Sequence, residues 1–131
     1  MQKLLLPMIG ILAMTLACGC NRAKSPATVA SDVADAQRNA SAEVTDAQKN
    51  AAQDVASVAQ APDHTSRDMN LADAKASYDV AIAKADGDHD VALQKCAALT
   101  GLAQNACKEK ADASYEQAKT HANVIRLSKL Q

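Results

Sequence analysis

The chain has no Phe and no Trp, and its only aromatic residues among Phe, Trp and Tyr are Tyr78 and Tyr115. Large aromatic side chains dominate the energetics of cores and interfaces, so their scarcity argues against a thick globular core. The hydrophobic share of 48% does not make up the difference, because 30 of those residues are Ala. Alanine is the best helix former and a poor source of buried area. Charge of one sign is also lacking. A net charge of -1 gives no overall electrostatic case for binding nucleic acid or an anionic lipid surface. His64, His89 and His121 are scattered, and no Ser/His/Asp or paired-carboxylate set stands out. An active site needs a concave pocket, for which a small Ala-rich helical assembly has little room. The expectation is a non-enzymatic protein with no cofactor.

The N-terminus carries an address. Met1-Gln2-Lys3 is a short basic region, followed by an apolar run from Leu4 to Ala17. That run is too short to span a bilayer but suits the core of a signal peptide. It ends in Leu16-Ala17-Cys18-Gly19-Cys20, which resembles the bacterial lipobox, where a cysteine is acylated and becomes the mature N-terminus. Cys20 is the favoured lipidation site and Cys18 the alternative. Lipidation at Cys20 removes Cys18 with the signal and leaves Cys96 and Cys107 as an even pair. Neither cysteine is followed by Asp, which under the enteric sorting rule implies the outer membrane facing the periplasm.

The remainder reads as helices. Residues 1–19 are the signal peptide, 20–28 a lipid-anchored tether, 29–62 an Ala-rich helical or partly disordered repeat, and 66–125 a helical hairpin. The repeat unit is eleven residues, starting at Val33, Val44 and Val55, with apolar positions at Val33, Ala36, Ala40, Val44, Ala47, Ala51, Val55 and Val58. This spacing is about 3.67 residues per turn, a nearly straight stripe. Ser25-Pro26 supplies an N-cap and first position, and Ala61-Pro62 a stop. With only Ala and Val on its stripe, this helix is expected to be marginal alone and firmed by self-association or by docking on the hairpin.

After a polar hinge, where Thr65 or Ser66 can cap, a second helix carries Leu71, Tyr78, Ile82, Ala85, His89, Ala92, Cys96 and Leu99 on one stripe. Thr100-Gly101 is a helix stop, because Gly takes the left-handed cap conformation without a Cβ clash. A third helix runs from about Leu102 to Ile125. Cys96 and Cys107 stand at similar distances on either side of Gly101 and can meet across the turn, giving an all-α fold with a disulfide-stapled antiparallel hairpin. Facing pairs are then Ala92 with Ala111, Ala85 with Ala118, Ile82 with His121 and Tyr78 with Ile125.

Two metal readings are weaker. His89 lies two turns from Cys96, roughly 10 Å, too far to share a Zn²⁺. Asp86-Gly87-Asp88-His89-Asp90 opens like a calcium loop, but the sixth and twelfth positions are Val91 and Ala97 rather than Gly and Glu. The expectation is no metal site, with Gly87 softening a solvated acidic stretch.

The residues from Tyr78 to His89, Lys95-Cys96, Leu99-Thr100-Gly101 and Ala106-Cys107-Lys108 resemble small uncharacterised proteobacterial Ala-rich envelope lipoproteins with a Lys-Cys…Cys-Lys hairpin, sometimes labelled TolA-like. The resemblance implies an envelope location and no catalytic residues. The chain is also similar to the major outer-membrane lipoprotein in being anchored and helical, though it ends Lys129-Leu130-Gln131 rather than at a Lys. The function expected is a periplasm-facing spacer, scaffold or partner-binding module. Its partners would be the membrane, through the N-terminal lipid, and an envelope protein or a second copy, with no nucleic acid. The alternative is an amphipathic stress-protective or membrane-surface-binding helical protein. Scarce Lys and Arg on the repeat weigh against strong lipid binding by that segment.

Overall fold

The computed structural model describes residues 22–131. The signal segment, Cys18 and Cys20 lie outside the described residues. Three helices make up the fold: α1 Pro26–Gln60, α2 Ser66–Cys96 and α3 Gly101–Ser128. No strand occurs among the described residues.

Local chemistry sets each boundary. Ser25 caps α1, its Oγ accepting the Thr28 amide at 3.1 Å, and Pro26 follows where a missing N–H costs nothing. Ala61, placed before Pro62, turns extended at φ -66 and ψ 132 and ends the helix. Thr65 then forms a capping box with Asp68, in which each side chain takes the other's backbone N–H. α2 stops at Cys96, three residues short of the expected Leu99, because residues 97–100 turn toward Gly101. Gly101 has φ +56, the left-handed region that an L side chain occupies only with strain. At its far end α3 continues through Ser128, past the Ile125 expected from sequence. Arg126 in this last turn stacks over Tyr78 at 5.1 Å, and Lys129 at the cap reaches Asp73 at 2.6 Å.

α2 is the middle element. α1 and α3 each pack on it and make no contact with one another among the described residues. The two contact faces of α2 are nearly opposite. Gly87 meets α1, whereas Cys96 and His89 meet α3. At 100° per residue, positions 87 and 89 are about 200° apart. The molecule is therefore a single layer of helices rather than a closed three-helix bundle.

Contacts along each junction run in opposite chain directions. On the α2–α3 side they pass from Cys96–Cys107 through His89–Asp112 and Asp86–Tyr115 to Tyr78–Arg126 and Asp73–Lys129. On the α1 side the Lys24 amide donates to the Ala97 carbonyl at 2.9 Å, Ala40 meets Gly87, and Lys75 bridges to Asp54 at 3.0 Å.

A layer of this kind buries little. The core is Ala74, Ala76, Ala85, Ala111, Ala122 and Cys96, with Gln104 as a buried polar side chain. Among the described residues, Cys96 is the largest side chain that is fully enclosed. In α1 no residue is fully buried, and Val33, Ala36, Ala40, Val44, Ala47, Ala51, Val55 and Val58 are half-buried. Leu71 and Leu99, placed by sequence spacing on the α2 stripe, are exposed instead. Leu99 falls in the turn beyond α2, and Leu71, near the start of α2, lines an open groove with Asp54, Ser57 and Val58 of α1 that leaves it exposed. No helix among the described residues is long and apolar enough to cross a membrane.

Candidate functional site

The disulfide forms one end of the site. Cys96 and Cys107 are bonded, with Cα atoms 5.6 Å apart, in the middle of the ordinary range for such a bridge. Gln104, one turn into α3, donates from Nε2 to the Cys96 carbonyl at 3.4 Å. The same carbonyl also accepts the Leu99 amide at 3.1 Å, so Gln104 adds a second donor to it at the end of α2.

Beyond the bridge, small residues face each other across the junction. Ala85 and Ala92 of α2 and Ala111 and Ala118 of α3 leave a groove of about 350 Å³, with Tyr115 and His89 also on its wall. Alanine explains the space, since a methyl group on each helix cannot fill the gap that leucines would close. Lys95, Lys110, Asp88 and Ser114 complete the lining.

The two rings of the site hold each other. His89 and Tyr115 stack with centroids 4.8 Å apart and planes inclined by 23°. Each ring is tethered to a carboxylate on the opposite helix. His89 Nε2–H donates to Asp112 Oδ1 at 2.7 Å, and Tyr115 O–H donates to Asp86 Oδ1 at 2.6 Å. Lys119 lies over the Tyr115 ring at 4.8 Å and pairs with Glu116 at 2.8 Å. Hydrogen bonding to Asp86 is the main cause that pushes the Tyr115 phenol above its usual range, with desolvation second. The bond to Glu116 raises Lys119 in the same way.

The cysteines expected to meet do meet. Asp86 and His89, read from sequence as parts of a solvated acidic stretch, instead point across to α3, while Gly87 between them packs on α1. Asp88 pairs with Lys84 at 2.5 Å. The four-element cluster of Asp86, His89, Asp112 and Tyr115 was not legible as a set. The signal that could have found it is the antiparallel register itself, which puts 86 and 89 beside 112 and 115.

Chemically, the site is an apolar trough walled by two fixed rings. No group of three or more His, Cys, Asp or Glu side chains that could hold a metal ion occurs among the described residues. No family model, no curated protein and no solved structure matches the chain.

Proposed function

We propose that the protein is a non-enzymatic lipoprotein of the bacterial envelope, held by an acyl group on Cys20 and displaying a disulfide-stapled hairpin as a partner-binding scaffold in the periplasm. The observation that carries the proposal is the bonded Cys96–Cys107 pair in a chain whose core is otherwise alanine. A disulfide persists in an oxidising compartment, which agrees with the signal-like N-terminus and with Cys20 as the acylated residue. An open helical layer offers broad side-chain faces rather than a deep polar cleft, an arrangement suited to docking.

The α1 repeat has a structural use in this reading. Its Val and Ala stripe lies half-buried in the layer, so α1 serves as a strut bracing α2. That use favours the scaffold over an α1 acting as a free amphipathic lipid-binding helix.

Metabolic palmitate labelling of the full-length protein tests the anchor. Cys20→Ser is expected to abolish label and accumulate precursor, and Cys18→Ser to remain labelled. Photo-crosslinking of the labelled protein in envelopes, from a probe at Ser114 on the groove, then tests the docking role. A discrete adduct is expected, and its absence alongside full acylation would contradict the partner-binding reading.

A further inference from the structure

We propose that the turn between α2 and α3, residues 97–102, is the membrane-contacting end of the molecule, with Leu99 and Leu102 entering the lipid interface beside the acyl anchor and the surrounding lysines facing anionic head groups. This rests on the lipoprotein reading above.

The chain's own connectivity places the turn there. The Lys24 amide donates to the Ala97 carbonyl at 2.9 Å, so the start of the described chain is bonded to the start of the turn. Four Cα-to-Cα steps lead from Cys20 to Lys24, and an extended chain covers at most about 3.6 Å per step. A lipid on Cys20 would thus tether the Lys24 end of the layer, the end that carries the turn, through a link of at most about 14 Å. The opposite end of α3 is 28 residues away, about 42 Å along the axis.

The turn has the side chains for such a contact. Leu102 is 87% exposed and Leu99 39% exposed, on either side of Gly101. Apart from its chain neighbours and its own helix backbone, no heavy atom comes within 4 Å of a Cβ position built on Gly101, so the apex is open. Leucines at an open apex have no protein surface to cover them, and the bilayer interface is the nearest apolar medium once the anchor is in place.

Charge agrees. Lys24, Arg38, Lys75, Lys84, Lys119 and Lys129 each hold a carboxylate. Lys95, Lys108 and Lys110 are exposed and make no ion pair among the described residues. From Val91 through Lys108 the sequence has no acidic residue, and Glu109 is the next. Lys49, Arg67 and Arg126 likewise make no ion pair among the described residues and lie elsewhere in the layer, so the turn carries a local excess of unpaired lysine rather than all of the free positive charge. Within a Debye length, about 8 Å at physiological ionic strength, such lysines attract anionic lipid.

Because the chain has no Trp, one introduced indole reports one position. The full-length acylated protein would be prepared as Leu102→Trp and, separately, as Leu127→Trp at the distant end. Each is reconstituted in vesicles of phosphatidylcholine and phosphatidylglycerol carrying brominated acyl chains. The indole of Leu102→Trp is expected to shift to shorter emission wavelength and be quenched, and that of Leu127→Trp to keep solvent-like emission without quenching. Helical circular dichroism and the absence of free thiols verify folding, and Leu99→Trp serves if Leu102→Trp fails that check. An unquenched indole at the turn, in protein that mass and vesicle flotation show to be acylated and bound, overturns the inference and leaves the lipoprotein reading intact. Equal quenching of both variants overturns the end-on geometry in favour of a layer lying flat. Protein that carries no acyl group overturns the reading and the inference together. With Lys95→Gln, Lys108→Gln and Lys110→Gln combined, the extra quenching in anionic over zwitterionic vesicles is expected to disappear, and its persistence would contradict the assigned role of these lysines.

Discussion

Gly87 of α2 lies directly against Ala40 of α1. A Cβ built on Gly87 would overlap the Ala40 Cβ and come within 3.1 Å of its Cα. The two helices therefore cross at a point where only a hydrogen atom fits on one side and a methyl group on the other.

That contact makes Gly87→Ala diagnostic. At a solvated mid-helix position, replacing Gly by Ala stabilises by roughly 0.5–1 kcal/mol. At this crossing the added methyl has to displace α1 backbone, and overpacking of this sort destabilises by about 1–3 kcal/mol. The expected result is a lower melting temperature for Gly87→Ala by circular dichroism, with recovery when Ala40→Gly is added. A more stable Gly87→Ala protein would show that α1 is not seated there.

Reduction of Cys96–Cys107 is expected to lower stability by roughly 3 kcal/mol on the chain-entropy argument for a short loop. Helix content should persist in part at low temperature, because the propensity of Ala-rich segments is local. Cys96→Ala with Cys107→Ala should reproduce the effect and expose the backbone around Gly101 to protease. Unchanged denaturant midpoints for oxidised and reduced protein would contradict a stabilising bridge.

These two positions also show what the sequence made legible. Cys96 and Cys107 were readable as a pair because the Thr100-Gly101 stop fixes a pivot with one cysteine at a similar distance on either side. Ser25-Pro26, Ala61-Pro62 and Thr65 were readable as boundaries because capping and proline effects act within a few residues. Gly87 was not readable, since a glycine in an acidic stretch looks the same whether water or a second helix faces it. Leu71 and Leu99 were misplaced for a related reason. Spacing defines a stripe on one helix, but where that helix stops and how closely its neighbours approach decide which residues of the stripe are buried.

Tyr115 gives an alkaline signature. Its phenol is raised above its ordinary value of 10.0, chiefly by donating to Asp86, so the folded state holds this proton more tightly than the unfolded state. The stabilisation is fully present below pH 10 and is lost as pH rises through the folded value. Tyr115→Phe should be less stable at neutral pH and should lose this alkaline component of the unfolding profile. Parallel pH profiles for the two proteins above pH 10 would contradict the Asp86 bond.

Asp68 gives the opposite sign. The Thr65 side-chain and backbone hydrogen bonds hold its carboxyl below the usual value of 3.8. That contribution is present above the unfolded value and is lost as pH falls through the folded one. Thr65→Ala removes the cap and is expected to cost about 1 kcal/mol at neutral pH. Its difference from the parent protein should shrink in acid, where Asp68 is protonated, and urea titrations at neutral and acidic pH would reveal whether it does.

The proposed acyl anchor at the N-terminus and the Cys96–Cys107 bridge can be read in one measurement. Intact-mass analysis with peptide mapping, applied to the mature protein extracted from bacterial envelopes without reductant, should find a chain beginning at an acylated Cys20. The same spectra should show the Cys96 and Cys107 peptides linked, with no free thiol. A mature chain with an unmodified N-terminus, or one whose Cys96 and Cys107 peptides are unlinked, would contradict the account.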